Sequence, residues 1–168
     1  MAFLLRYRNA WPAFAATVSI LMLATAHAFE TFGGYAPCNL CLRQREVYWA
    51  ALTVAVIGLA LGVLKRPLVR EALALALAAI FLTGAVVAGY HAGVEWHWWP
   101  GPTTCTGGAV KIGAGALADL MAGAKVHPPA CDQAAWRMLG ISMAGYNAAI
   151  SAALAALGFT AAFAKDRP

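Results

Sequence analysis

The sequence predicts an all-α membrane protein: a four-transmembrane-helix bundle with one short and one long cysteine-bearing loop. Three observations carry that reading. Of the 168 residues, 62% are hydrophobic and 11% are charged, whereas an ordinary soluble domain carries about a quarter charged residues. The mean hydropathy of +0.68 is more than one core of this size could hide from water. Four apolar stretches without Lys, Arg, Asp or Glu run over about 11–29, 47–64, 72–90 and 141–164. Each approaches the roughly 20 helical residues that cross about 30 Å of hydrocarbon.

The elements follow in chain order within a single domain, 1–168, without repeats or low-complexity tracts. The first span, 11–29, follows Arg6 and Arg8 and ends near "ATAHA", which also resembles a signal peptide with a small-x-small cleavage site. Its length and the three spans after it favour a retained helix. The short loop, 30–46, carries Cys38 and Cys41, and "KRPLVR" at 65–70 makes a tight turn between the second and third spans. The long loop, 91–140, carries Cys105 and Cys131 and opens with "EWHWWPGP", an interfacial aromatic belt. It closes with "CDQAAWRMLGISM", where Trp136, Met138, Leu139 and Met143 fall on or near one side of a helix. That helix is expected either to lie at the interface or to extend the fourth span.

Helix counting fixes the sides. Two spans separate Cys41 from Cys105, so all four cysteines share one face, and both chain ends share the other with the 65–70 turn. That second side holds Arg6, Arg8, Lys65, Arg66, Arg70, Lys165 and Arg167, seven of the twelve basic residues. The positive-inside rule then makes the tails cytoplasmic and places the thiols in an oxidising compartment. The net charge of +5 is scattered over few residues, a pattern for lipid headgroups and orientation rather than nucleic acid.

The cysteines admit several chemistries. A zinc site wants four thiolates in two close pairs, and Cys105 and Cys131 are far apart in sequence. Haem attachment wants His after the second cysteine, where Leu42 stands. Two structural staples are the bland alternative, but a Cys38–Cys41 bridge closes almost no chain and would stabilise little. Exchange suits the spacing better. Pro37 and the apolar run put Cys41 at or just before a helix N-terminus, which favours the thiolate. Arg45, one helical turn on, can stabilise that thiolate or an electron-rich acceptor, while Arg43 reads as a headgroup contact. With no nucleotide or flavin motif, a lipid-soluble quinone is the natural acceptor of the electrons. His91, ending the third span on the cysteine face, is a candidate for a quinone oxygen or a proton, though a lone interfacial His is as often merely solvated. Glu95 is a weaker candidate of the same kind.

These residues resemble the disulfide bond formation protein B (DsbB) family. Pro37, Cys38, Leu40, Cys41, Gln44 and Arg45 fit its P-C-x-L-C-x-x-Q-R pattern, and the likeness covers nearly the whole chain. It implies a thiol:quinone oxidoreductase of the bacterial inner membrane, with both termini cytoplasmic and the cysteine loops periplasmic. It further implies Cys38, Cys41, Cys105 and Cys131 as catalytic residues and no metal. Arg45, His91, Gln44 and Met143 would surround ubiquinone or menaquinone. In the implied path a periplasmic thioredoxin-fold oxidase (DsbA-like) attacks a Cys105–Cys131 disulfide and is held by Cys105. Cys131 then attacks Cys38, and Cys41 leaves as a thiolate beside Arg45. The stretch "TTCTGGAVKIGAGALADL" at 103–120 is small and Gly-rich, a departure that bears on the partner contact.

Two other readings stay open. A reductase resembling the vitamin K epoxide reductase family shares the small bundle and CxxC, but there the CxxC lies near the last span. A non-catalytic scaffold with structural disulfides predicts cysteines inert to mild reductant and no bound quinone.

Overall fold

The computed structural model of the protein describes residues 2–60, 66–102, 121 and 130–163, with side chains from residue 7. Four long helices form within them: α1 (Ala2–Thr31), α2 (Asn39–Ala60), α3 (Pro67–Glu95) and α4 (Met143–Phe163). Helices outrun the apolar windows because backbone groups in lipid have no water to bond and must pair within the segment. Thus α1 continues through Pro12, and α3 starts at Pro67, where a missing N–H costs nothing. The far end of α3 passes Tyr90 and closes with Trp96 N–H bonded to the Ala92 carbonyl at 3.0 Å. His91 and Glu95 therefore stand on a helix, not in the loop expected from residue 91 onward.

Among the described residues, three helices are long and apolar enough to cross a membrane, over Tyr7–Thr31, Pro67–Glu95 and Met143–Phe163. The apolar part of α2 begins only after Arg43, Arg45 and Glu46 and reaches Ala60. Residues 61–64 of the expected second span lie outside the described residues, as does Ala164 of the fourth.

α3 packs most extensively along α4, while α1 packs against α2 and α2 against α3. Trp11, Leu77 and Phe81 are fully buried at the centre, with Tyr48 and many alanines around them. Large apolar side chains such as Ile20, Leu21, Ile57, Leu82 and Val86 point outward, as expected where lipid is the solvent. Helix contact in lipid depends on close approach at small residues. A Cβ at Gly158 would come within 2.9 Å of Ala78 Cβ, and one at Gly84 within 3.0 Å of Val47 Cγ1.

Polar contacts mark the two ends of the bundle. At one, Tyr7 donates to the Leu157 carbonyl at 2.7 Å, buried Arg8 pairs with Glu71 at 3.0 Å, and Arg70 donates to Asn9 at 3.1 Å. At the other end gather the C-termini of α1 and α3, the N-termini of α2 and α4, and Cys38, Cys41 and Cys131.

The segment before α4 corrects the helix expected over 131–143. Arg137–Met138 (β1) pairs antiparallel with Ile141–Ser142 (β2). Leu139 at φ 51° and Gly140 at φ 82° make the turn between them, both in the left-handed region that suits two-residue hairpins. Glu95 supplies the physical reason. Its carboxylate accepts a bond from Ser142 Oγ, and its backbone carbonyl accepts Arg137 Nη2 at 3.4 Å, so both strands are tied to α3. Ser142 Oγ also accepts the Gly145 N–H at 3.2 Å, capping α4. Hence α4 starts at Met143 rather than at Ile141.

Candidate active site

α2 is capped by a cysteine. Cys38 Sγ accepts the backbone N–H of Cys41 at 3.3 Å, and its carbonyl accepts the N–H of Leu42 at 3.1 Å. A Ser or Asp hydroxyl or carboxylate usually does this work at a helix start. The cap brings the two sulfurs to 2.7 Å, both as free thiols. The pair is asymmetric. Cys38 is buried and Cys41 half-buried. The Cys38–Cys41 hydrogen bond, then burial, pushes the Cys38 thiol up, whereas the same bond holds the Cys41 thiol below the ordinary value against its own desolvation. Cys41 is thus the more acidic thiol of the pair and Cys38 the one that holds its proton more tightly.

Cys131 meets this pair. It is 1% exposed and packs with Cys38, Leu40 and Val94, with Cys41 against them. Cys131 is disulfide-bonded. Cys105 lies outside the described residues. A reduced pair therefore abuts a disulfide at one point of the bundle, which is the arrangement thiolate attack on a disulfide sulfur requires.

His91, 3% exposed, comes from α3 to the same point. Its Nε2 lies 3.7 Å from Cys38 Sγ and 3.8 Å from Glu95 Oε1, and its Nδ1 lies 2.7 Å from Gln44 Nε2. Gln44 Oε1 in turn accepts Asn147 Nδ2 of α4 at 2.5 Å, and Asn147 Oδ1 accepts the Tyr48 hydroxyl at 2.5 Å. Gln44 is thus the link between the dithiol region and the polar interior.

Arg45 is placed differently from the free cation the sequence suggests. Its Nη1 pairs with Glu30 of α1 at 2.5 Å, and its Nη2 donates to the Ala26 carbonyl at 3.1 Å. Its charge still lowers the Cys41 thiol, as a lesser cause behind the Cys38 bond. Arg43 pairs with Glu46 on the exposed face at 3.0 Å. Met143 opens α4, half-buried, and stands outside the hydrogen-bonded cluster among the described residues.

The Cys38 and Cys41 sulfurs and a His91 nitrogen lie within 4.8 Å of one another, three donors that suit a thiophilic ion. Two thiolates at 2.3 Å from a tetrahedral zinc, however, stand roughly 3.8 Å apart. The 2.7 Å separation here is far shorter than that, so the geometry fits exchange better than ligation.

Sequence reasoning passed over Tyr48, Asn147 and Ser151. They carry no formal charge and stand in otherwise apolar stretches. The available signal was Asn147 and Ser151 at i, i+4 in an apolar run, since polar side chains inside a membrane helix tend to face functional interiors.

A helical membrane bundle with a close pair of free cysteines seated against a disulfide-bonded one defines a membrane disulfide oxidoreductase. The chain belongs to the family Disulfide bond formation protein DsbB, which it matches over residues 8–161. Membership brings with it a disulfide-forming oxidoreductase activity. The chain is also similar to the uncharacterized protein RP370 of Rickettsia prowazekii (strain Madrid E). The two are 29% identical over 133 residues, 78% of this chain and 74% of that protein. No solved structure matches it.

Proposed function

We propose that the protein returns a periplasmic thioredoxin-fold oxidase (DsbA-like) to its disulfide form and passes the electrons to ubiquinone or menaquinone in the bacterial inner membrane. α2 is then the fourth span, both termini are cytoplasmic and both cysteine loops are periplasmic. The observation that carries this reading is the contact of the Cys38–Cys41 pair with the disulfide-bonded Cys131.

A partner thiolate attacks Cys105 of a Cys105–Cys131 disulfide, forming a mixed disulfide and releasing Cys131 as thiolate. Cys131 attacks Cys38 of a Cys38–Cys41 disulfide, and Cys41 leaves as thiolate. The partner's second thiolate then frees Cys105, which regenerates the Cys105–Cys131 bond and leaves Cys38 and Cys41 reduced. Over the cycle the partner loses two electrons and two protons, and Cys38 and Cys41 hold them.

A quinone, when bound, supplies the two-electron, two-proton sink. Arg45 and His91 would hold it, with Gln44 behind His91 and Met143 at the head of α4. The half-buried Cys41 fits that role, because the more accessible sulfur is also the more acidic one. Glu30 and Ala26 orient Arg45, and buried Cys38 keeps its proton until Cys41 is consumed.

The test is direct. Purified protein with quinone and a reduced thioredoxin-fold partner is expected to bleach quinone absorbance, and Cys41→Ser to abolish it. No quinone reduction by the wild type, or undiminished reduction by Cys41→Ser, overturns the reading. Cysteines inert to mild reductant would instead mark a scaffold.

A further inference from the structure

Five polar side chains from three helices are buried together: Tyr48 and Gln44 on α2, His91 on α3, and Asn147 and Ser151 on α4, all 7% exposed or less. Inside a bundle no water can repair a wrong pairing, so each donor must find the acceptor in front of it. Two hydroxyls, Tyr48 at 2.5 Å and Ser151 at 3.3 Å, both converge on one atom of the Asn147 amide and donate to it, its oxygen. The Asn147 nitrogen then donates to Gln44 Oε1 at 2.5 Å. That leaves the Gln44 nitrogen facing His91 Nδ1 at 2.7 Å, where the amide is the donor and the ring nitrogen the acceptor.

The other end of the ring gives the same answer independently. Nε2 faces Cys38 Sγ at 3.7 Å and Glu95 Oε1 at 3.8 Å, and the ring also hydrogen-bonds the backbone carbonyl of Cys131, so a sulfur, a carboxylate and a carbonyl, all acceptors, await its proton. We infer that Asn147 is a positioning residue: through Gln44 it fixes the proton of His91 on Nε2 and sets the direction of a hydrogen-bond chain that ends on the Cys41 sulfur. Tyr48 donates to Asn147, Asn147 to Gln44, Gln44 to His91, His91 toward Cys38 with the Cys131 carbonyl sharing its proton, and Cys38 to Cys41. Bonds aligned head to tail polarise one another in a low-dielectric interior, so each step favours negative charge on Cys41. His91 is thereby a donor in the resting protein, to the Cys131 carbonyl and the Cys38 sulfur beside it, not a base waiting for a thiol proton.

Other charges also face Cys41: Arg45 from its own helix and Glu95 from α3, which oppose each other, and Arg137 of β1 bound to the Glu95 carbonyl. The chain adds to these and is separable from them by mutation. The inference rests on Cys38 and Cys41 being the working pair, but its test needs neither quinone nor partner, so it can fail while the proposed electron path stands.

Reduced full-length protein labelled with 15N-histidine, its His91 signals assigned by comparison with His91→Gln, reports the tautomer directly. The expected wild-type result is a protonated Nε2 and an unprotonated Nδ1. Asn147→Asp offers only acceptors at that position, so Gln44 must turn its nitrogen to it and its oxygen to His91. The proton then moves to Nδ1, and iodoacetamide alkylation of Cys41 near neutral pH falls roughly fivefold, as for one lost hydrogen bond. A wild-type proton on Nδ1 overturns the inference. So does an Asn147→Asp protein that melts earlier yet keeps the wild-type tautomer and alkylation rate, which is what a purely structural residue would give. Should Asn147→Asp not fold, the wild-type spectrum alone decides.

Discussion

Arg45 of α2 is bound to Glu30 of α1 at 2.5 Å, so the cation one helical turn from Cys41 is already paired by a neighbouring helix. His27 also lies 3.8 Å from that carboxylate. Glu30→Gln is expected to leave Arg45 uncompensated and draw the Cys41 thiol lower. At a fixed pH below the Cys41 pKa, alkylation should rise a fewfold, the scale of a partly exposed ion pair. Arg45→Ala should act in the opposite sense. In single turnovers it should slow quinone reduction about tenfold, the scale of a charge-assisted hydrogen bond, while partner oxidation changes less. Equal loss in both assays would leave Arg45 a purely structural role.

The asymmetry of the thiol pair predicts its pH behaviour. Cys41 lies below the ordinary thiol value of 9.0 and Cys38 above it. Between the Cys41 pKa and 9.0 the reduced protein should therefore carry a single thiolate, at Cys41. Mass spectrometry after limiting iodoacetamide at neutral pH should find Cys41 modified and Cys38 intact. Cys38→Ala removes the largest cause that lowers Cys41. Its pKa then rises, alkylation at neutral pH falls, and raising the pH restores it. Preferential labelling of Cys38 would contradict the assignment.

Ser142 joins the hairpin, α3 and α4 at one oxygen, donating to Glu95 and accepting from Gly145. Ser142→Ala leaves a buried carboxylate short of a donor, at a cost of about 1–3 kcal/mol, and removes the α4 cap, about 1 kcal/mol more. Lower thermal stability and faster proteolysis beside Arg137 are expected, with recovery in Ser142→Thr. Unchanged stability would mean that Glu95 finds another partner.

What could be read from sequence was local. Pro37, the Cys38–Cys41 spacing and the apolar run after Glu46 mark a helix start, and a helix start is what folds the two sulfurs together. Chain order alone put His91 on the cysteine face. The interior was not legible, because Gln44 and Asn147 are about a hundred residues apart and only the packing of α2 on α4 joins them. The charge of Arg45 was legible, but its pairing with Glu30 depends on how α1 lies against α2. The hairpin escaped because Trp136, Met138, Leu139 and Met143 fit a helical stripe as well as they fit two short strands. The cue against a helix was Gly140.

Leu139 offers the last test. It occupies the first position of the hairpin turn at φ 51°, 91% exposed, with Gly140 beside it at φ 82°. Left-handed backbone costs a non-glycine residue about 1–2 kcal/mol, and Asn or Gly occupies this position at little cost. Leu139→Asn should slow amide hydrogen exchange at Met138 and Ile141, the residues paired across the turn. The change should stay within the hairpin, since Leu139 covers nothing. If exchange there quickens instead, the exposed leucine side chain is itself seated on something, and in this protein the bilayer surface is the nearest candidate.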